Sequence, residues 1–93
     1  MTNLELIKQF NKGSKSGHTT FCEEYNCHRL SINDDALINY HTVIALRTKR
    51  GIILNKDKYS RTTSKLQTMI RNYCDVVNEV SFDEIYDLMR GVH

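Results

Sequence analysis

Between Leu66 and Val77, apolar side chains recur at Leu66, Met69, Ile70, Tyr73, Cys74 and Val77. A strand would send successive residues to opposite faces, whereas a helix turning about 100° per residue gathers all of these on one side. The other side of the same cylinder collects Arg61, Ser64, Lys65, Thr68, Arg71 and Asn72. The spacing therefore predicts a long amphipathic helix with one face in the core and the other basic. Ahead of it the hydroxyls Ser60, Thr62, Thr63 and Ser64 alternate with Lys56, Lys58, Arg61 and Lys65, as a helix start able to hold an anion would be written.

The remaining segments read as support for that rod. Asn3 to Phe10 predicts a short opening helix, with Thr2 or Asn3 as its cap and Glu5 in its first turn. Gly13-Ser14-Lys15-Ser16-Gly17 reads as a flexible basic loop. It lacks the Gly-Lys-Ser/Thr ending and the preceding apolar strand of a nucleotide-binding loop. From Thr19 the pattern favours strands. Arg29–Tyr40 predicts a hairpin turning at Asn33-Asp34-Asp35, and Thr42–Leu46 a central strand buried on both faces. Thr48–Gly51 turns the chain, with Gly51 at a positive φ, and Ile52–Leu54 returns beside it. Val80-Ser81-Phe82-Asp83-Glu84-Ile85 carries a capping box and staple for a last helix, Ser81–Arg90, ended by Gly91. The expected fold is α+β: one domain over residues 1–93, a small antiparallel meander of about four or five strands packed on the long helix, and short N- and C-terminal helices.

Charge is segregated along the chain. Residues 41–71 hold eight basic side chains against Asp57 alone, and residues 72–93 hold Arg90 against five acidic ones. A basic middle followed by an acidic tail points to an anionic partner for one face, with partial neutralisation by the tail. A solvated surface with ordinary ion pairs is the competing interpretation. No run approaches the ~18 apolar residues of a membrane span and the opening residues lack a signal-peptide centre, so a soluble, cytoplasmic protein with no membrane partner is expected. Three cysteines, Cys22, Cys27 and Cys74, argue against a disulfide scaffold. Four residues between Cys22 and Cys27 is loose for a zinc knuckle, so neither metal nor cofactor is expected. Glu23 and Glu24 would diverge on a strand, and nothing spells a nucleophile elbow, so no enzyme is expected.

The expected binding residues are Lys49 and Arg50 at the hairpin tip, Lys56 and Lys58 ahead of the helix, and Arg61, Thr63, Ser64, Lys65, Thr68 and Arg71 along it. Lys12 and Lys15 could join them. Tyr59 alone is placed to stack on a base, so phosphate contact is the stronger nucleic-acid reading. In the competing reading Tyr59 anchors the chain and Ser60 or Thr62 merely caps. Phe82, Tyr86 and Met89 could cover the same core or a second copy in a homodimer.

The run Tyr40-His41-Thr42-Val43-Ile44-Ala45, then Gly51, Leu54-Asn55, Lys58-Tyr59-Ser60 and Thr62-Thr63-Ser64-Lys65, resembles a family of small bacteriophage proteins of unknown function. Phe10-Asn11-Lys12-Gly13 is similar to a glycine-containing segment of the same family, so the likeness covers roughly residues 10–70. Its specific portion is Tyr-Ser-x-Thr-Thr-Ser. The resemblance implies a phage-type inhibitor or modulator of a host nucleic-acid-handling or defence complex, an anti-CRISPR-like role with a host protein or ribonucleoprotein as partner. Its alternative is a phage regulator that contacts nucleic-acid backbone directly. A mimic of DNA would be acidic, so a basic face suits an acidic protein surface or a guide-nucleic-acid backbone.

Overall fold

The computed structural model describes residues 1–91 of the chain. In chain order it contains α1 (Asn3–Asn11), β1 (Ser16–His18), β2 (Phe21–Cys22), β3 (Cys27–His28), β4 (Leu30–Asn33), β5 (Ala36–Asn39), β6 (Thr42–Thr48), β7 (Gly51–Asn55), α2 (Arg61–Tyr73), β8 (Val76–Val80) and α3 (Phe82–Gly91). Six strands form one sheet in the order β1-β4-β5-β6-β7-β8, and β2 pairs with β3 as a separate ribbon. All neighbours are antiparallel except β7 and β8, which run parallel. A parallel pair needs a crossover, and α2 supplies it.

The expected architecture is corrected on three points. The sheet is mixed and six-stranded rather than a four- or five-stranded meander, the ribbon is additional, and α2 is a helix of 13 residues rather than a long rod. Cys74 already adopts an extended conformation (φ −118°, ψ 159°), and the β-branched pair Val76-Val77 continues as an edge strand on β7. The helical stripe is thereby cut. Leu66 and Ile70 are buried and Met69 and Cys74 pack against the same core, but Tyr73 is 47% exposed and Val77, opposite no residue of β7, is 48% exposed.

The core has two parts, one on each face of the sheet. On one side, Leu6, Ile7 and Phe10 of α1 and Leu66 and Ile70 of α2 pack on Leu30, Ile32, Leu37, Ile52 and Leu54. On the other, Ile85 of α3 meets Ala36, Val43, Leu46 and Val80. A bulge in β6 makes this division: Ile38 faces Val43 and Leu37 faces Ala45, so Ile44 is extra and joins Ala45 in the first cluster. Thr2 and Glu5 form a reciprocal capping box on α1. The last two residues of the segment read as a flexible loop, Ser16 and Gly17, instead open β1. Gly17 pairs with Ile32 at φ +148°, and a Cβ there would lie 2.8 Å from Leu6 Cδ1, so a side chain would strain the backbone and displace the end of Leu6.

Arg47 fastens this corner of the molecule. Its side chain, 13% exposed, lies over the Phe10 ring and donates to the carbonyls of Phe10, Ser14 and Asp34 and to Asp35 Oδ1. One guanidinium thus ties the end of α1, the Gly13 turn and the β4–β5 turn to the central strand. No helix among the described residues is long and apolar enough to cross a membrane.

Candidate interface for an anionic partner

The start of α2 is built on buried polar side chains that the loops cannot pair by themselves. Asn55, at the end of β7, is fully buried and donates to the Val43 carbonyl at 3.0 Å and to the Tyr59 hydroxyl at 3.0 Å. Its Oδ1 accepts from Asp57 N. Gln67, 2% exposed, reaches back from α2 to the carbonyls of Asn55 (2.7 Å) and Asp57 (2.9 Å). Ser60 caps α2 by accepting from Thr63 N, while Thr63 Oγ1 donates to Asn39 Oδ1 at 2.9 Å and Asn39 Nδ2 donates to the Arg29 carbonyl at 2.8 Å. Among the described residues no buried side-chain polar atom is left unpaired. The Asn55, Tyr59, Ser60 and Thr63 side chains thus each have a structural task. Sequence periodicity did not single out Gln67 or Asn39.

The ten expected binding residues fall into separate groups. Lys56, Lys58, Arg61 and Lys65 are exposed around the start of α2, and no carboxylate among the described residues lies within ion-pair distance of them. Lys49 and Arg50 sit at the opposite end of β7, where the β6–β7 turn meets the region of Asp75. Asn11 also reaches Asp75 there, which brings Lys12 to that end. The structure therefore does not bring the hairpin tip and the helix start together. Thr63 is buried in the polar network, Ser64 is half-buried, and Thr68 is exposed but bonds back to the Ser64 carbonyl. Arg71 is held by Glu79 through Nε and Nη2, and this pair lowers the Glu79 carboxyl and raises the guanidinium pKa. Lys15 pairs with Asp35 at 2.6 Å.

The fold adds residues that charge counting missed. Tyr40 N bonds to the Arg29 carbonyl, so Arg29 and Tyr40 lie beside the Asn39–Thr63 contact and hence beside the start of α2. The Tyr25 ring packs edge-on against Tyr40 at 5.0 Å, and His41 Nε2 lies 3.0 Å from the Tyr25 carbonyl. Tyr25 and Tyr59 remain 52% and 46% exposed. One end of the molecule therefore carries Arg29, Lys56, Lys58, Arg61 and Lys65 together with three tyrosines, and with Glu23 and Glu24 in the Tyr25 loop. Only strand pairing brings Tyr25 and Arg29 to this end.

The side chains flanking the start of α3 are occupied locally. Asp57, the lone acid of the basic middle, accepts from Phe82 N, and Ser81 accepts from Glu84 N, so both stabilise the start of α3. Asp87 pairs with Arg90. Among the described residues no three His, Cys, Asp or Glu side chains converge as a metal site. His18 and His28 are instead stacked at 3.8 Å, both with Nδ1 on the Thr19 carbonyl.

Fold and surface together define an α+β protein with one cationic, tyrosine-bearing end. No protein-family model matches the sequence, and neither a curated protein nor a solved structure matches it.

Proposed function

We propose that this is a non-enzymatic binding protein that engages an anionic partner through the end of the molecule formed by Arg29, Lys56, Lys58, Arg61 and Lys65. The observation that carries the reading is that Lys58, Arg61 and Lys65 stand exposed and, among the described residues, unpaired beside a helix start, with Lys56 also out of ion-pair contact though within the field of Glu79. Neighbouring Arg71 is neutralised by Glu79 and Asp57 is spent on α3. Exposed cations without local partners raise the potential over a surface, steer anionic molecules and lose little on contact, because no internal ion pair has to break. The partner we favour is a host protein or ribonucleoprotein that handles nucleic acid, a defence complex included, as the resemblance to small phage proteins implies. The second reading, direct contact with nucleic-acid backbone, is favoured by the exposed Tyr25 and Tyr59 rings at the same end, since aromatic rings interleaved with cations suit unpaired bases.

The test is a paired measurement on native protein and on the double variant Arg61→Glu, Lys65→Glu. Affinity purification from host cells, with and without nuclease, identifies the partner. Titration of single- and double-stranded nucleic acid over a salt series measures direct binding. A direct binder using these five cations should show log affinity falling against log salt with a slope of about −3.5 to −4.5. A protein partner retained after nuclease treatment, with no nucleic acid held at moderate salt, rejects the second reading. The double variant should lose binding in either case while its unfolding midpoint stays within ~0.5 kcal/mol of native, because both positions are exposed. Undiminished binding by the variant would place the interface elsewhere.

A further inference from the structure

We propose that Cys22 and Cys27 are a reversible dithiol pair that closes to an intrachain disulfide under oxidising conditions. This goes beyond the binding role and does not depend on it. The two residues stand directly opposite each other in the β2–β3 ribbon, with Phe21 opposite His28 as the next pair. Directly opposed residues of an antiparallel pair have Cα atoms roughly 4.5–5.5 Å apart, inside the ~4.4–6.8 Å window of a disulfide. Opposed side chains also project from the same face of a ribbon, so the thiols share one side while Phe21 and His28 share the other, where their rings meet edge-on at 5.1 Å. Both cysteines are free and only half-buried, so an oxidant reaches them.

The third cysteine differs on each count. Cys74 lies at the end of α2, its Sγ–H directed to the Ile7 carbonyl at 3.8 Å, and burial pushes its thiol up to about 11. It stays a protonated, unreactive thiol at neutral pH.

The oxidant we name is a small disulfide such as oxidised glutathione. One ribbon thiolate attacks a glutathione sulfur, breaking the S–S bond and releasing one glutathione. The second ribbon thiolate then attacks the mixed disulfide and releases the other. The two thiol protons pass to the two departing glutathione sulfurs, and the electron pair of the dithiol reduces the glutathione disulfide. The bond closes a loop holding Glu23, Glu24, Tyr25 and Asn26, with Asn26 at φ 53°. Oxidation thus braces the loop that carries Tyr25 against Tyr40.

The experiment incubates the native full chain in buffers of increasing oxidised-to-reduced glutathione ratio, quenches with acid, and reads intact mass and peptide maps. The expected product has lost two hydrogen atoms, maps to Cys22–Cys27, and reverts fully on adding dithiothreitol. Hydrogen exchange of residues 23–26 should slow several-fold in that product. Cys74→Ser should leave the titration unchanged, whereas Cys27→Ser should stop at the stable glutathione adduct of Cys22. Persistent adducts on native protein, a bridge involving Cys74, or thiols untouched at the most oxidising ratio would each overturn the proposal.

Discussion

Replacing Arg47 tests whether a single guanidinium holds three segments together. Arg47→Met keeps an unbranched apolar stem against the Phe10 ring and removes every donor. Four acceptors lose their partner: the carbonyls of Phe10, Ser14 and Asp34, and Asp35 Oδ1. A hydrogen bond to a charged group contributes about 1.5–3 kcal/mol. The full sum does not apply. Phe10 O keeps the Gly13 N–H, Asp35 keeps Lys15, and the Asp34 turn is exposed enough for water to replace the lost donor. Counting one to two bonds as uncompensated gives a destabilisation of about 2–4 kcal/mol. That is a large part of the ~5–15 kcal/mol expected of a whole domain and corresponds to a fall in Tm of roughly 10–25 °C. Urea unfolding followed by far-UV circular dichroism measures it. Arg47→Lys should recover less than half, because one ammonium cannot face divergent acceptors as a planar fork does. An Arg47→Met protein within ~0.5 kcal/mol of native would show that the contacts are surface decoration and that the corner holds by apolar packing alone.

Three further outcomes are expected. Ile70→Ala should cost about 2–5 kcal/mol in chemical denaturation, since the side chain is fully buried between α2 and the sheet, and an unchanged midpoint would refute that packing. Gly51→Ala should cost about 1–3 kcal/mol, because φ is +143° and the added Cβ would come within 2.7 Å of both the Asp75 carbonyl and Val77 Cγ1; native stability would show that β8 yields freely there. The acid limb of stability should flatten on Asp35→Asn or Glu79→Gln. Lys15 and then Arg47 hold the Asp35 carboxyl low and Arg71 holds that of Glu79 low, so their contribution is present above the ordinary carboxylate pKa of about 4 and is lost as pH falls through the folded-state values. Urea midpoints of the native and variant proteins between about pH 7 and 3 check the sign, and parallel curves would dismiss these pairs as screened surface contacts.

Local chemistry was legible and long-range pairing was not. The Thr2 cap, the Asp34 turn, the buried Val43–Leu46 run and the positive φ of Gly51 are each fixed by neighbours within a few residues, and each stands as the sequence expects. Within the six-stranded sheet, the two strands that escaped, β1 and β8, are its edges. Ser16-Gly17-His18 has no apolar alternation, and it is a strand because β4 offers it unpaired backbone groups. Val76–Val80 lost its identity to a helical period that happened to run on through Val77. The same limit governs the candidate interface. Lys56, Lys58, Arg61 and Lys65 could be found from sequence because they share one helix start, but pairing Lys49 and Arg50 with them assumed a single face, and the length of β7 separates the two groups. The partner of Arg71 lies eight residues away across the α2–β8 turn, a separation that a continuing helix would have stretched to about 12 Å along its axis. Correcting the end of the helix therefore also corrects the electrostatics: once β8 exists, Glu79 stands beside α2 and pairs with Arg71. Among the described residues, Lys56, Lys58, Arg61 and Lys65 remain without an ion-pair partner at the start of α2, the end to which β4 and β5 carry Arg29 and Tyr40, as Lys12, Lys49 and Arg50 do at the other end of β7.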